Sequence, residues 1–106
     1  MIVMKFGGTS LEDATAMTNA CEIIRSRLRK QPAVVLSAAA GITNSLIRCA
    51  ELAAEGKRLE AESVLRDKVI DRHYRMIANL IRGLSEQDVL IRQFKIFDEE
   101  LRSLLY

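Results

Sequence analysis

Most of the residues that announce a function outright are scarce in this sequence. There is no tryptophan, one proline and one histidine, and there are two cysteines, two tyrosines and three phenylalanines among 106 residues. His73 has no cysteine or second histidine near it, so it reads as a surface or helix-packing residue rather than a ligand or a base. Cys21 and Cys49 are far apart and lack CxxC spacing. They are expected as small reduced core residues, which sets aside a disulfide or a metal pair. No apolar run approaches the roughly 20 residues that span a bilayer; the best candidate, 33–42, is broken by Ser37 and Gly41. The amino terminus has no basic region followed by an apolar segment and cleavage site, so no signal peptide is expected. Excess charge is missing too. A formal net charge of +2 gives little reason to expect nucleic acid or an anionic membrane as a partner. The cluster Arg25, Arg27, Arg29 and Lys30 falls at the end of a predicted helix, where cations favour the dipole.

What is present is ordinary globular composition, 49% hydrophobic and 28% charged, in a length suited to one small domain. Against that background one stretch stands out, Lys5, Phe6, Gly7, Gly8, Thr9 and Ser10. It follows the apolar run 1–4 and precedes a helical pattern, so it lies where a strand turns into a helix. The first N–H groups of a helix lack internal partners, and the dipole adds positive charge there, which suits a phosphate. Two glycines remove the side chains that would hold a phosphate away from the backbone. A strand of a parallel sheet is normally buried on both faces, and an unpaired buried ammonium is costly. Lys5 is therefore expected to have an anionic partner.

The remaining elements follow in order. Residues 2–6 form a strand; Ser10 reads as an N-cap with Asp13 completing a capping box. A helix is expected from about Leu11 to Lys30, with Ala14, Met17, Cys21, Ile24 and Leu28 on one face. Pro32 ends it. Residues 33–36 then read as a second buried strand, making a βαβ unit whose two strands are parallel. Both glycine-containing loops leave the carboxyl ends of strands, the edge where open α/β sheets bind ligands. The second loop, 37–44, offers small residues together with Ser37, Thr43 and Asn44. By itself it could be a tight connection with Thr43 or Asn44 as an N-cap. Beside the Lys5 loop on one sheet edge, it reads as a binding loop.

From Ser45 the pattern is helical. A helix to about Glu55 stopped by Gly56 is predicted, then one over 58–82 with Leu65, Val69, Met76, Ile77 and Leu80 inward and Gly83 as its C-cap. A third begins at Ser85, again with an acidic residue, Asp88, three positions on. Its Leu90, Phe94, Phe97, Leu101 and Leu104 alternate by four and three residues, the spacing of a helix that packs along another. An antiparallel helical hairpin is expected, with Asp98, Glu99 and Glu100 on its solvated face.

The glycine loop is neither a Walker A sequence nor a GxGxxG fingerprint. Its combination with the run from Val34 to Asn44, about thirty residues on, resembles the aspartokinases of the amino-acid kinase superfamily. That resemblance implies an α/β fold: the amino-terminal βαβ portion of a three-layer αβα kinase with a parallel sheet (1–44), followed by a helical excursion (45–106). It implies phosphorylation of the L-aspartate side-chain carboxylate by ATP with Mg2+, giving 4-phospho-L-aspartate, the first step toward lysine, threonine and methionine in the cytoplasm. Lys5 would neutralise the phosphoryl group in flight, and Gly7, Gly8, Thr9 and Ser10 would hold the ATP phosphates. Ser37, Ala38 and Thr43 would line the aspartate pocket. The departures are small: Leu11 where valine is common, and three successive alanines at 38–40. Such kinases are much longer, so the chain is expected to be an amino-terminal segment, inactive alone. Its partner would be the rest of the kinase or a second copy. Two sequential strands with unpaired edges, and the pattern 104–106 ending without a cap, agree with that expectation. Two rivals remain: a kinase for glutamate, acetylglutamate, carbamate or a nucleotide, and a helical interaction or dimerisation module.

Overall fold

The proline and the two short apolar runs do build a βαβ arrangement. In the computed structural model, which describes residues 1–105, strand β1 (Ile2–Phe6) pairs in parallel with β2 (Pro32–Leu36) in the register Ile2 to Pro32 through Phe6 to Leu36. These strands and helix α1 (Ala14–Ser26) belong to the first of two units, Met1–Gly41; the second begins at Ile42. The core of the first unit is small. Phe6, Leu11 and Ala20 are buried together, with Met4, Met17 and Ile24 packed against them. Successive strand side chains alternate between faces, so Met4 and Phe6 meet the core while Val3 and Lys5 stand on the opposite face.

That alternation overturns the expectation of strands buried on both sides. Lys5 is exposed, Val3 is 69% exposed, and Val34, Val35 and Leu36 are exposed as well. Both faces of a parallel sheet are buried only when both are covered, and within this unit the single helix α1 covers one.

The start of α1 also differs from the expected one. Residues Gly8–Leu11 form a 3₁₀ turn, and Asp13, not Ser10, is the N-cap, its Oδ1 accepting from the Ala16 N–H at 2.8 Å. The helix stops at Ser26, and Leu28–Lys30 forms a second 3₁₀ turn. Gln31 then adopts a left-handed conformation (φ 50°), which turns the chain into Pro32. Since the helix starts later and ends earlier, its inward stripe is Met17, Ala20 and Ile24. Cys21 is exposed and Leu28 is 58% exposed, contrary to the predicted face.

The second unit is all helix. Helix α2 (Ile42–Ala54) ends in a Schellman motif, with Gly56 at φ 77°, the Gly56 N–H bonded to the Ala53 carbonyl and the Lys57 N–H to the Leu52 carbonyl. Helix α3 (Arg58–Val64) runs through a π-helical segment (Leu65–Ile70) into α4 (Asp71–Leu80). The π-helical segment buries Leu65, Val69 and Ile70. They join Ile42, Cys49, Leu52, Ala61 and Met76 in the core. Burial raises the pKa of the Cys49 thiol. Between α2 and the residues Leu101, Leu104 and Leu105, floored by Leu65, lies a cavity of about 470 Å³ that Cys49 also lines.

Helix α5 (Leu84–Leu104) folds back antiparallel on α4. The Gln87 side chain donates to the carbonyls of Ala78 and Ile81, and Phe94 stacks on His73 (4.9 Å) and meets Tyr74 edge-on (5.4 Å). His73 Nδ1 donates to the Val69 carbonyl at 2.7 Å, so the lone histidine is a packing residue of the hairpin. Burial, with Asp98 nearby, raises the pKa of Tyr74. Of the five residues at alternating spacing, Phe94 and Leu101 are half-buried, whereas Phe97 (57%) and Leu104 (79%) are exposed. Asp98 is not simply solvated: it accepts from Arg102 Nε at 2.7 Å. Gly83 is the N-cap of α5 rather than the C-cap of α4, and no side chain caps it, so Asp88 completes no box. Tyr106, which ends the pattern read from the sequence, lies outside the described residues. Among the described residues no helix is long and apolar enough to cross a membrane.

Candidate functional site

The carboxyl ends of β1 and β2 carry the two loops singled out in the sequence, and backbone contacts join them. The ladder continues one step past the strands, with the Ser37 N–H donating to the Phe6 carbonyl at 3.2 Å. Two residues further along the first loop and three along the second, the Ala40 N–H donates to the Gly8 carbonyl at 3.1 Å. This approach depends on residue size. A Cβ at Gly8 would stand 3.3 Å from the Ala40 Cα and 3.5 Å from both the Ala40 nitrogen and the Ala38 carbonyl oxygen. All three are backbone atoms, which cannot swing aside as a side chain would.

Gly7 differs from its neighbour. It is extended, at φ −84° and ψ 177°, a conformation open to any residue, and no atom lies within 4 Å of where its Cβ would be. Neither the local conformation nor the surrounding packing requires glycine there. The Gly7 carbonyl accepts from the Ser10 N–H at 3.1 Å, closing the 3₁₀ turn, and buried Leu11 anchors that turn to the core. The N-terminus of α1 lies beyond, at Ala14, and the Asp13 carboxylate already takes one of its free N–H groups. Donors near the glycines therefore come from the 3₁₀ turn, not from the end of a long helix as the sequence pattern suggested.

Each residue named from the sequence now has a place. Lys5 is exposed, one residue before the buried Phe6 and level with Val35 in register. Thr9 and Ser10 are exposed and line a cavity of about 280 Å³ between Phe6 and α1, with Asn19, Ala20 and Ile23 on its helix side. Ser37 Oγ donates to the Ala38 carbonyl at 2.8 Å; Ala38 is exposed and Ala39 is buried. Gly41 has a positive φ of 83° and closes the loop. Thr43 belongs to the second unit as the second residue of α2, since that helix begins at Ile42 and not near Asn44.

Lys5, the Gly7–Ser10 turn and the 37–40 loop thus share one end of one small sheet. The sequence pattern had passed over Ala40 and Asn19. Ala40 acts through its backbone, which no side-chain pattern reports, and Asn19 lines the cavity from the face of α1 beside Ala20 and Ile23. Such a site can hold an anion over an exposed ammonium and open backbone. Among the described residues there is no group of three or more histidine, cysteine or acidic side chains arranged to hold a metal ion.

Both loops fall within the stretch that a known family covers. The model of the amino acid kinase family matches residues 1–103. Lysine-sensitive aspartokinase 3 of Escherichia coli (strain K12) is 43% identical over 67 residues, covering 63% of this chain and 15% of the relative. Aspartokinase 2, chloroplastic, of Arabidopsis thaliana is 30% identical over 101 residues, covering 78% and 19%. The bifunctional aspartokinase/homoserine dehydrogenase of Haemophilus influenzae is 36% identical over 89 residues, covering 83% and 10%. The chain therefore spans less than a fifth of the length of each of these relatives.

Proposed function

This chain belongs to the amino acid kinase family, and from that premise we propose that it supplies the phosphate loop and part of the acceptor loop of a longer aspartate kinase. The complete enzyme would transfer the terminal phosphoryl group of ATP to the side-chain carboxylate of L-aspartate. The observation that carries this reading is the pairing of an open glycine with a packed one at the junction of two loops. The second loop presses close on Gly8, whereas among the described residues nothing beyond its chain neighbours lies within 4 Å of a Cβ at Gly7. A glycine that its own fold does not need fits a ligand that must come close to the backbone, and the exposed ammonium of Lys5 at the same sheet end fits an anionic one.

The chemistry agrees with these parts. Phosphoryl transfer between two anions depends on positioning and charge neutralisation more than on covalent help from the protein. Lys5 meets the charge of the phosphoryl group in flight. The backbone N–H groups of Gly7 and Gly8 and the hydroxyls of Thr9 and Ser10 hold the nucleotide phosphates. Ser37, Ala38 and Thr43 contribute to the aspartate pocket. A magnesium ion, brought in with the nucleotide, would offset part of the phosphate charge that Lys5 and the loop N–H groups face. Aspartate as the acceptor, rather than glutamate, acetylglutamate or carbamate, is supported by the aspartokinase names of the three relatives. The fold reading follows the same line. The short parallel sheet is the start of a larger one in a three-layer domain, and the isolated segment is inactive.

Lys5→Ala in the complete enzyme is expected to lower kcat by about 10²-fold or more, the usual effect of removing one positioned donor to a developing charge. Steady-state kinetics across a panel of amino-acid and carbamate acceptors checks both halves. Turnover within a few fold of wild type would remove the role of Lys5, and preference for another acceptor would remove aspartate.

A further inference from the structure

We infer that the Gly8–Ala40 contact is a positioning device that couples the two substrate loops, so that filling one raises the affinity of the other. The inference rests on the functional reading above, which assigns the loops to nucleotide and amino acid. The geometry supplies the link. Two backbone bonds tie the loops together, Ser37 N–H to Phe6 carbonyl and Ala40 N–H to Gly8 carbonyl, at 3.2 and 3.1 Å. Beside them Gly8 lies so close to the backbone of Ala38 and Ala40 that a methyl group there would stand 3.3 Å from the Ala40 Cα, and the second loop would have to give by a few tenths of an ångström. Backbone pressed on backbone cannot relax by a change of rotamer, so a shift of the glycine turn must displace the 37–40 segment.

The inner ends of both loops are anchored. Leu11 is buried behind the glycine turn and Ala39 is buried next to Ala40, with relative exposures of 6% and 7%. Each loop thus carries a buried residue close to the bond that joins it to the other loop. An anion that orders the Gly7–Ser10 turn thereby also orders the carbonyl and N–H groups of 37–40. Affinity coupling is reciprocal by thermodynamic necessity, so the amino acid must tighten nucleotide binding by the same factor. Gly7 is the internal contrast. It lies between the two acceptors of the clasp, but a Cβ there would meet no atom of the 37–40 segment, so a methyl group alters the nucleotide site without pressing on the link.

The test measures the affinity of the complete enzyme for a non-hydrolysable MgATP analogue by calorimetry, with and without saturating L-aspartate. Wild type is expected to bind at least about 5-fold more tightly with aspartate, the lower end of ordinary coupling. Gly8→Ala is expected to reduce that ratio below about 2, whereas Gly7→Ala weakens nucleotide binding yet keeps the wild-type ratio. If Gly8→Ala fails to fold, Ala40→Pro, which removes the donor N–H, is expected to give the same loss of ratio. A wild-type ratio near 1, or a full ratio in Gly8→Ala or Ala40→Pro, overturns the coupling. These results differ from failure of the function itself, in which wild type would bind neither ligand.

Discussion

The two units of this chain are held together by different means. In the first, the two loops are joined by backbone hydrogen bonds and by a close backbone approach at Gly8, beside a small core built on Phe6, Leu11 and Ala20. In the second, stability comes from side chains: Leu52, Leu65, Val69, Ile70 and Met76 fill an interior between helices, and Phe94 locks the hairpin against His73 and Tyr74. The difference teaches where sensitivity should lie. Large-to-small changes should damage the helical unit, and small-to-large changes should damage the loops.

That contrast can be broken. Leu65 is 1% exposed and floors the helical interior, so Leu65→Ala should cost about 2–5 kcal/mol, with the higher figure if the neighbouring cavity enlarges instead of collapsing. Denaturant unfolding of the chain would measure it, and a loss below about 1 kcal/mol would show that the helical interior is not close-packed. In the first unit the largest side-chain contribution outside the core is the cap. Asp13→Ala should cost about 1 kcal/mol, and Asp13→Asn much less. Ser10→Ala should leave the melting temperature nearly unchanged, because Ser10 does not cap α1. A larger effect at Ser10 than at Asp13 would reverse the assignment.

These residues also mark how far the sequence could be read. The βαβ order, the parallel pairing, the Gly56 stop and the antiparallel hairpin were all visible, because each depends on a local rule: an apolar run, a glycine at positive φ, a heptad-like spacing. The cap was misplaced because Ser10 and Asp13 stand three apart, and a serine followed by an acid looks like a capping box whether or not the intervening residues are helical. Here they are spent on a 3₁₀ turn. Lys5 was expected to be buried because parallel strands usually are, but periodicity states which residues share a face, not whether anything covers it. The same limit explains Phe97 and Leu104, which share a spacing with Phe94 and Leu101 yet remain exposed. In the loops, residue types pointed to two stretches that meet at one end of the sheet. The Ala40 to Gly8 bond was hidden, since backbone partners leave no trace in side-chain identity.

The central claim is that Gly7 is kept for a ligand and not for the fold, and Gly7→Ala in the complete enzyme tests it most directly. Its backbone is extended and its surroundings are empty, so the melting temperature without ligand should not change measurably. Affinity for the MgATP analogue, measured by calorimetry on the same sample, should fall by about tenfold, or ~1.4 kcal/mol. Unchanged stability with weakened nucleotide binding is the predicted result; unchanged stability with unchanged binding would contradict the account.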